Sequence, residues 1–116
     1  MIQLKRIYDK KTDNTIRILV DRLWPRGISK KDADIDEWLK EIAHSHKLRK
    51  WYSHDKSKWD EIKVHYKKEL STNEELLKRI LEYENKNDVT LLFASKDQDH
   101  NNAVVLKEYI EEQRNE

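Results

Sequence analysis

The chain has 116 residues, 36% hydrophobic and 41% charged, which is the length of one domain. Its 24 Lys+Arg stand against 23 Asp+Glu, a net charge of +1, so the one-sided excess that keeps polar chains disordered is absent. A clearly basic domain dedicated to nucleic acid is not indicated either. Four Trp, five Tyr and one Phe supply large apolar bodies, and the reading is a fold around a small core that leans on aromatic side chains. The absence of cysteine excludes disulfides, thiolate zinc sites and a Cys nucleophile. Met1–Arg6 has no apolar signal region and no run approaches ~18 apolar residues. The expectation is a soluble, cytoplasmic protein with no membrane partner.

Taken in chain order, Ile2 to Tyr8 alternates loosely and reads as a strand, followed by a polar turn from Asp9 to Thr15. Ile16 to Leu23 is rich in β-branched and aliphatic residues and reads as a second strand, most simply paired with the first as a hairpin. Ile35, Trp38, Leu39 and Ile42 follow helical spacing, with Asp32 or Asp34 as cap. Trp59, Ile62, Tyr66 and Leu70 form a second such stripe, opened by Asp55 or Ser57, with Trp38 and Trp59 as expected core anchors. Leu76, Leu77, Ile80, Leu81 and Tyr83 make a third, with Thr72 or Asn73 and Glu75 as a capping box. Val89 to Ala94 is continuously apolar, as in a strand buried on both faces. Asp99 opens a last helix carrying Ala103, Leu106 and Ile110, and a charged tail from about Glu111 is expected to fray. The sum is a single small α/β domain over 1–116. It has a short, mostly parallel sheet of about three strands with helices packed on it.

In open α/β sheets, ligands bind beyond the carboxyl ends of parallel strands. Two segments qualify, Asp21–Gly27 after the second strand and Ser95–Asn102 after the third. They offer Arg22, Arg26, Lys96 and His100 as cationic or donor groups, and Asp21 and Asp97 as carboxylates. Asn101 and Asn102 fall in the first turn of a helix, whose free N–H groups favour an anion. The expectation is a pocket for a small anionic ligand, phosphate- or carboxylate-bearing. Asp21, Arg22, Trp24, Arg26, Trp51, Lys96, Asn101 and Asn102 would bind the ligand, and Asp97 and His100 are the candidate acid or base should a reaction occur. Asp99 reads as a helix cap.

An alternative lies in residues 47 to 68, where Lys47, Arg49, Lys50, Lys56, Lys58, Lys63, Lys67 and Lys68 face only Asp55, Asp60 and Glu61. Interleaved with Trp51, Tyr52, Trp59 and Tyr66, this segment has the makings of a nucleic-acid-binding or regulatory module. Against it, Trp59 and Tyr66 sit on an apolar stripe, so weak or no nucleic-acid binding is expected. Of five histidines, only His44 and His46 lie close, and at i, i+2 they diverge on a helix, so no metal site is expected. No Gly-rich phosphate loop or Gly-x-Ser-x-Gly elbow occurs, and no cofactor is implied.

Val20-Asp21-Arg22-Leu23-Trp24-Pro25-Arg26-Gly27, followed by Lys96-Asp97-x-x-His100-Asn101-Asn102-Ala103, resembles the YeaO-like family. The likeness runs from Lys5-Arg6-x-Tyr8-Asp9 to Glu108-Tyr109, and takes in Asp36–Ala43, Leu48-Arg49-Lys50-Trp51-Tyr52-x-His54-Asp55 and Lys58-Trp59. It implies a cytoplasmic α/β domain and carries no activity with it, the family being one of unknown function. Longer relatives place a Cys and a Cys-His-Arg triplet around the third-strand loop. Phe93 and Asn101-Asn102-Ala103 stand at those positions here, so thiol chemistry does not carry over. Ala43-His44-Ser45 also departs from the more usual Ala-Pro-Ser.

Overall fold

The computed structural model describes residues 1–114. Four strands form one sheet in the order β1-β4-β2-β3, with β1 at Ile2–Arg6, β2 at Ile16–Leu19, β3 at Glu37–Trp38 and β4 at Val89–Phe93. Every pairing is parallel: Ile2 lies opposite Val89, Ile16 opposite Val89 on the other side, and Ile18 opposite Glu37. Five helices accompany them: α1 (Lys30–Ala33), α2 (His46–Tyr52), α3 (Trp59–Ser71), α4 (Glu74–Glu84) and α5 (Asn102–Arg114). None is long and apolar enough to cross a membrane.

β4 is central because its sequence leaves no face for water: all five of its residues are buried. Successive side chains point to opposite faces, and β4 and β2 divide their residues accordingly. Val89, Leu91, Phe93, Ile18 and Val20 join the larger core, together with Leu48 and Tyr52 of α2, Ile62, Tyr66 and Leu70 of α3, Ile80 of α4, and Leu106 and Ile110 of α5. Leu92 and Leu19 face a smaller second layer with Ile7 and Ala33, closed by Trp24, Ile28, Ile35 and Trp38. Arg17 is buried on that second side, 3% exposed. Its guanidinium donates to the Ala33 and Asp34 carbonyls at 2.9 Å, ending α1.

Four expectations are corrected. β1 and β2 do not form a hairpin; β4 inserts between them and pairs with both, which gives the most apolar strand two neighbours. Residues 35–42 are not one helix: Glu37–Trp38 is an edge strand, and Lys40–Ile42 is a single 3-10 turn. Asp99 does not cap α5. The Asn101 Oδ1 accepts the Val104 N–H at 3.1 Å in that role. The expected fraying tail is helical through Arg114, and 115–116 lie outside the described residues. Trp59 packs half-buried against the main core and Trp38 half-buried against the second layer. The Trp38 indole donates to the Asp21 carbonyl at 2.7 Å and meets Trp24 edge-on, with ring centres 5.4 Å apart.

Candidate functional site

Parallel pairing sets the exits of β2 and β4 side by side, and two hydrogen bonds fasten them. The Ala94 N–H donates to the Asp21 carboxylate at 2.8 Å, and the Asn102 amide donates to the Val20 carbonyl at 2.8 Å. Between these loops, α2 and α3 lies a cavity of about 420 Å³, within the range of ligand pockets.

Asp21, Arg22, Trp24, Arg26, His100, Asn101 and Asn102 line this cavity. Lys96 and Asp97 line an adjoining hollow of about 410 Å³, which shares Tyr52, His54, Ser95 and His100 with the first. Trp51 borders neither: it is exposed on α2, with the Lys58 ammonium 5.0 Å over its ring and His65 edge-on at 5.6 Å.

The lining cations differ in what already occupies them. Arg22 donates from Nη2 to the Ala43 carbonyl at 3.0 Å and from Nε to the His44 carbonyl at 3.2 Å, with Glu41 3.8 Å from Nη1. It therefore pins the exit of β2 to the segment ahead of α2. Arg26, in the loop, and Arg49, on α2, make no side-chain hydrogen bond or ion pair among the described residues. Arg49, His44, Tyr52, His54, Trp59 and Tyr66 line the cavity without having been singled out for it from sequence. The signal for α2 was the i, i+4 pair Leu48 and Tyr52, which turns that short helix inward beside Arg49.

Burial sets the protonation of the interior groups. Desolvation raises the Asp21 carboxyl above its ordinary value, outweighing the hydrogen bonds from Ala94 and Asn102 and the pull of Arg49. His44 is pushed down from its ordinary value by desolvation, and its buried Nδ1 has no hydrogen-bond partner among the described residues. Its ring meets Tyr66 edge-on at 5.5 Å, and the Tyr66 hydroxyl donates to the Ile42 carbonyl at 2.7 Å. Burial holds that phenol protonated, far above its usual range.

Asp97 behaves differently. Desolvation works to raise its carboxyl, but donation from the Asp99 N–H and from the ring and N–H of His100 holds it down at about 2. Asp97 thus tightens its turn and orients the imidazole, which meets Trp59 edge-on at 5.0 Å. At the start of α5, the Val104 N–H is taken by Asn101, and Asn101 Nδ2 donates to the Asp97 carbonyl at 2.9 Å. Among the described residues no group of three or more His, Cys, Asp or Glu side chains is placed to hold a metal ion.

The basic segment is partly neutralised from α5. Lys63 and Lys67 reach Glu108 at 3.3 and 3.0 Å, and Lys67 also reaches Glu112 at 2.9 Å. Lys56 lies 3.4 Å from Asp97, and Lys58 donates to the Trp51 carbonyl.

The family model described as "Inactive DUF488-N3 subclade" matches residues 1–116. The uncharacterized protein YeaO of Escherichia coli (strain K12) is 41% identical over 110 residues, covering 94% of this chain and 96% of its own. Uncharacterized proteins Mb3100c of Mycobacterium bovis and Rv3073c of Mycobacterium tuberculosis are each 41% identical over 70 residues, 60% of this chain and 59% of theirs. No solved structure matches the chain. The chain belongs to this YeaO-like DUF488 family.

Proposed function

We propose that this member of the inactive DUF488-N3 subclade is a binding protein whose cavity, at the carboxyl ends of β2 and β4, takes a small anion bearing a phosphate or carboxylate. One observation carries the reading: Arg26 and Arg49, from separate elements, line the same cavity, and neither makes an ion pair or side-chain hydrogen bond among the described residues, Arg49 acting on Asp21 only at longer range. Both side chains are exposed, so their donors are free to make charge-assisted hydrogen bonds to a bound anion. Arg22, tied to main-chain carbonyls, shapes the wall and adds its field. The subclade's description as inactive favours binding over turnover, with Asp97 orienting His100 rather than relaying a proton. The ion pairs of Lys63 and Lys67 with Glu108 favour the cavity over a nucleic-acid surface along residues 47–68.

The test is thermal unfolding with phosphate or sulfate against chloride at matched ionic strength. Ligand at ~100 times Kd adds ~2.7 kcal/mol to a protein that binds it only when folded. Arg26→Gln and Arg49→Gln are expected to keep the ligand-free melting temperature and lose the response. An equal response to chloride refutes the reading.

A further inference from the structure

The composition of the cavity wall says what kind of anion fits. A bare oxyanion is too small: phosphate displaces roughly two or three waters of ~30 Å³ each, whereas the cavity measures about 420 Å³. Rings bound much of the remaining space, beside the polar side chains already described. Of the chain's four Trp, five Tyr and one Phe, five residues, Tyr8, Trp24, Tyr52, Trp59 and Tyr66, line this one hollow. Ile62 and Val105 add aliphatic surface to the same wall.

The rings that touch one another there do so edge-on or tilted. Trp59 meets His100 at 77°, Tyr52 meets Trp59 at 54° and His44 meets Tyr66 at 77°. None of these pairs stacks in parallel, and Trp59, half-buried at the wall, is the ring on which a guest would stack in the offset arrangement that aromatic rings favour equally with edge-on contact. Among the described residues, the lining cations with a permanent charge are the arginines Arg22, Arg26 and Arg49, and no lysine borders the cavity. The planar guanidinium fork grips a carboxylate or phosphate through two parallel hydrogen bonds and itself packs on aromatic faces, which an ammonium does less well.

Resting on the anion reading above, we infer that the ligand is a flat-ring anion: an aromatic or heteroaromatic ring carrying a carboxylate or phosphate. The ring lies beside Trp24, Tyr52 and Trp59, and the charged group faces Arg26 and Arg49. The two requirements are separable, because one concerns charge and the other shape.

The experiment uses the full chain and five probes at matched ionic strength: benzoate, phenyl phosphate, cyclohexanecarboxylate, inorganic phosphate and benzyl alcohol. Binding is read by thermal shift and by tryptophan fluorescence, to which Trp24 and Trp59 at the cavity wall report. Benzoate is expected to bind about tenfold more tightly than cyclohexanecarboxylate, and phenyl phosphate about tenfold more tightly than inorganic phosphate, the scale of one good aromatic contact. Both ring anions are expected to perturb the fluorescence and to lose affinity in Arg49→Gln. Equal affinities within each pair overturn the ring requirement and leave the anion site standing. Benzyl alcohol binding as tightly as benzoate overturns the charge requirement, and with it the anion reading. No binding by any probe overturns both. Ring-anion binding that survives Arg26→Gln and Arg49→Gln together places the ligand elsewhere and also overturns the inference.

Discussion

Tyr66→Phe removes one oxygen from the junction between core and cavity, and the structure fixes what that removal costs. Tyr66 is 1% exposed. Its ring packs in the main core and against His44, contacts that Phe keeps. Only the hydroxyl is lost, and with it the 2.7 Å hydrogen bond to the Ile42 carbonyl at the end of the 3-10 turn. Ile42 is itself 1% exposed, so its carbonyl has no ready access to bulk water. Leaving a buried acceptor unpaired costs about 1–3 kcal/mol, a sizeable share of the ~5–15 kcal/mol that holds a domain together. Urea unfolding followed by far-UV circular dichroism measures it as a lower midpoint at unchanged slope. The anion response is expected to persist, because Arg26 and Arg49 are untouched. A Tyr66→Phe protein within ~0.5 kcal/mol of the parent would refute the argument, since a surface substitution of no consequence falls in that range.

Asp21 gives a pH dependence. Its carboxyl is raised in the folded state by desolvation above the ordinary 3.8, so above that pH the folded chain binds more protons than the unfolded one. Its contribution is therefore fully present below about 3.8 and is lost as pH rises through the raised value. Asp21→Asn retains an oxygen for the Ala94 N–H and removes this slope, so its unfolding free energy is expected to gain on the parent from pH ~4 to ~7; parallel curves would count against it. For duplex or single-stranded DNA, affinity is expected to be weaker than micromolar at physiological salt, with a log–log salt slope no steeper than about −4 to −5. Sub-micromolar binding measured by fluorescence anisotropy under those conditions would reverse the preference for the cavity.

How much of this fold was legible follows from what periodicity encodes. Val89–Phe93 announced a central strand because an unbroken apolar run admits no wet face, and Trp59–Leu70 and Ala103–Ile110 announced helices by their spacing. Ile35, Trp38, Leu39 and Ile42 have the same spacing, yet Ile35 and Trp38 face the second layer while Leu39 and Ile42 face the main core. The chain passes the sheet edge between Trp38 and Leu39. Spacing records how often apolar residues recur, not which side of a sheet each one meets. The hairpin failed for a related reason. Nothing local joins β1 to β2, and only the demand of β4 for neighbours on both edges separates them.

The site was legible to the extent that strand ends were. The exits of β2 and β4 came together through the Asp21–Ala94 and Asn102–Val20 hydrogen bonds, as parallel pairing of the two strands implied. Which arginines remain available to a ligand was not, and the reason lies in the backbone. With one Gly and one Pro in the chain, few of its turns can close by glycine or proline geometry, and main-chain carbonyls at segment ends need other donors. Three arginines meet that need in the same way, each reaching two consecutive carbonyls: Arg6 to Ala94 and Ser95, Arg17 to Ala33 and Asp34, and Arg22 to Ala43 and His44. The planar fork suits that task, and an arginine so engaged has fewer donors left to grip an oxyanion. Sequence types all of these residues alike, but the carbonyl pairs that engage them come from segments at least 16 residues away. Arg26 and Arg49 have no such clamp among the described residues. That difference moves the weight of the proposed anion site from Arg22 and Lys96 to Arg26 and Arg49.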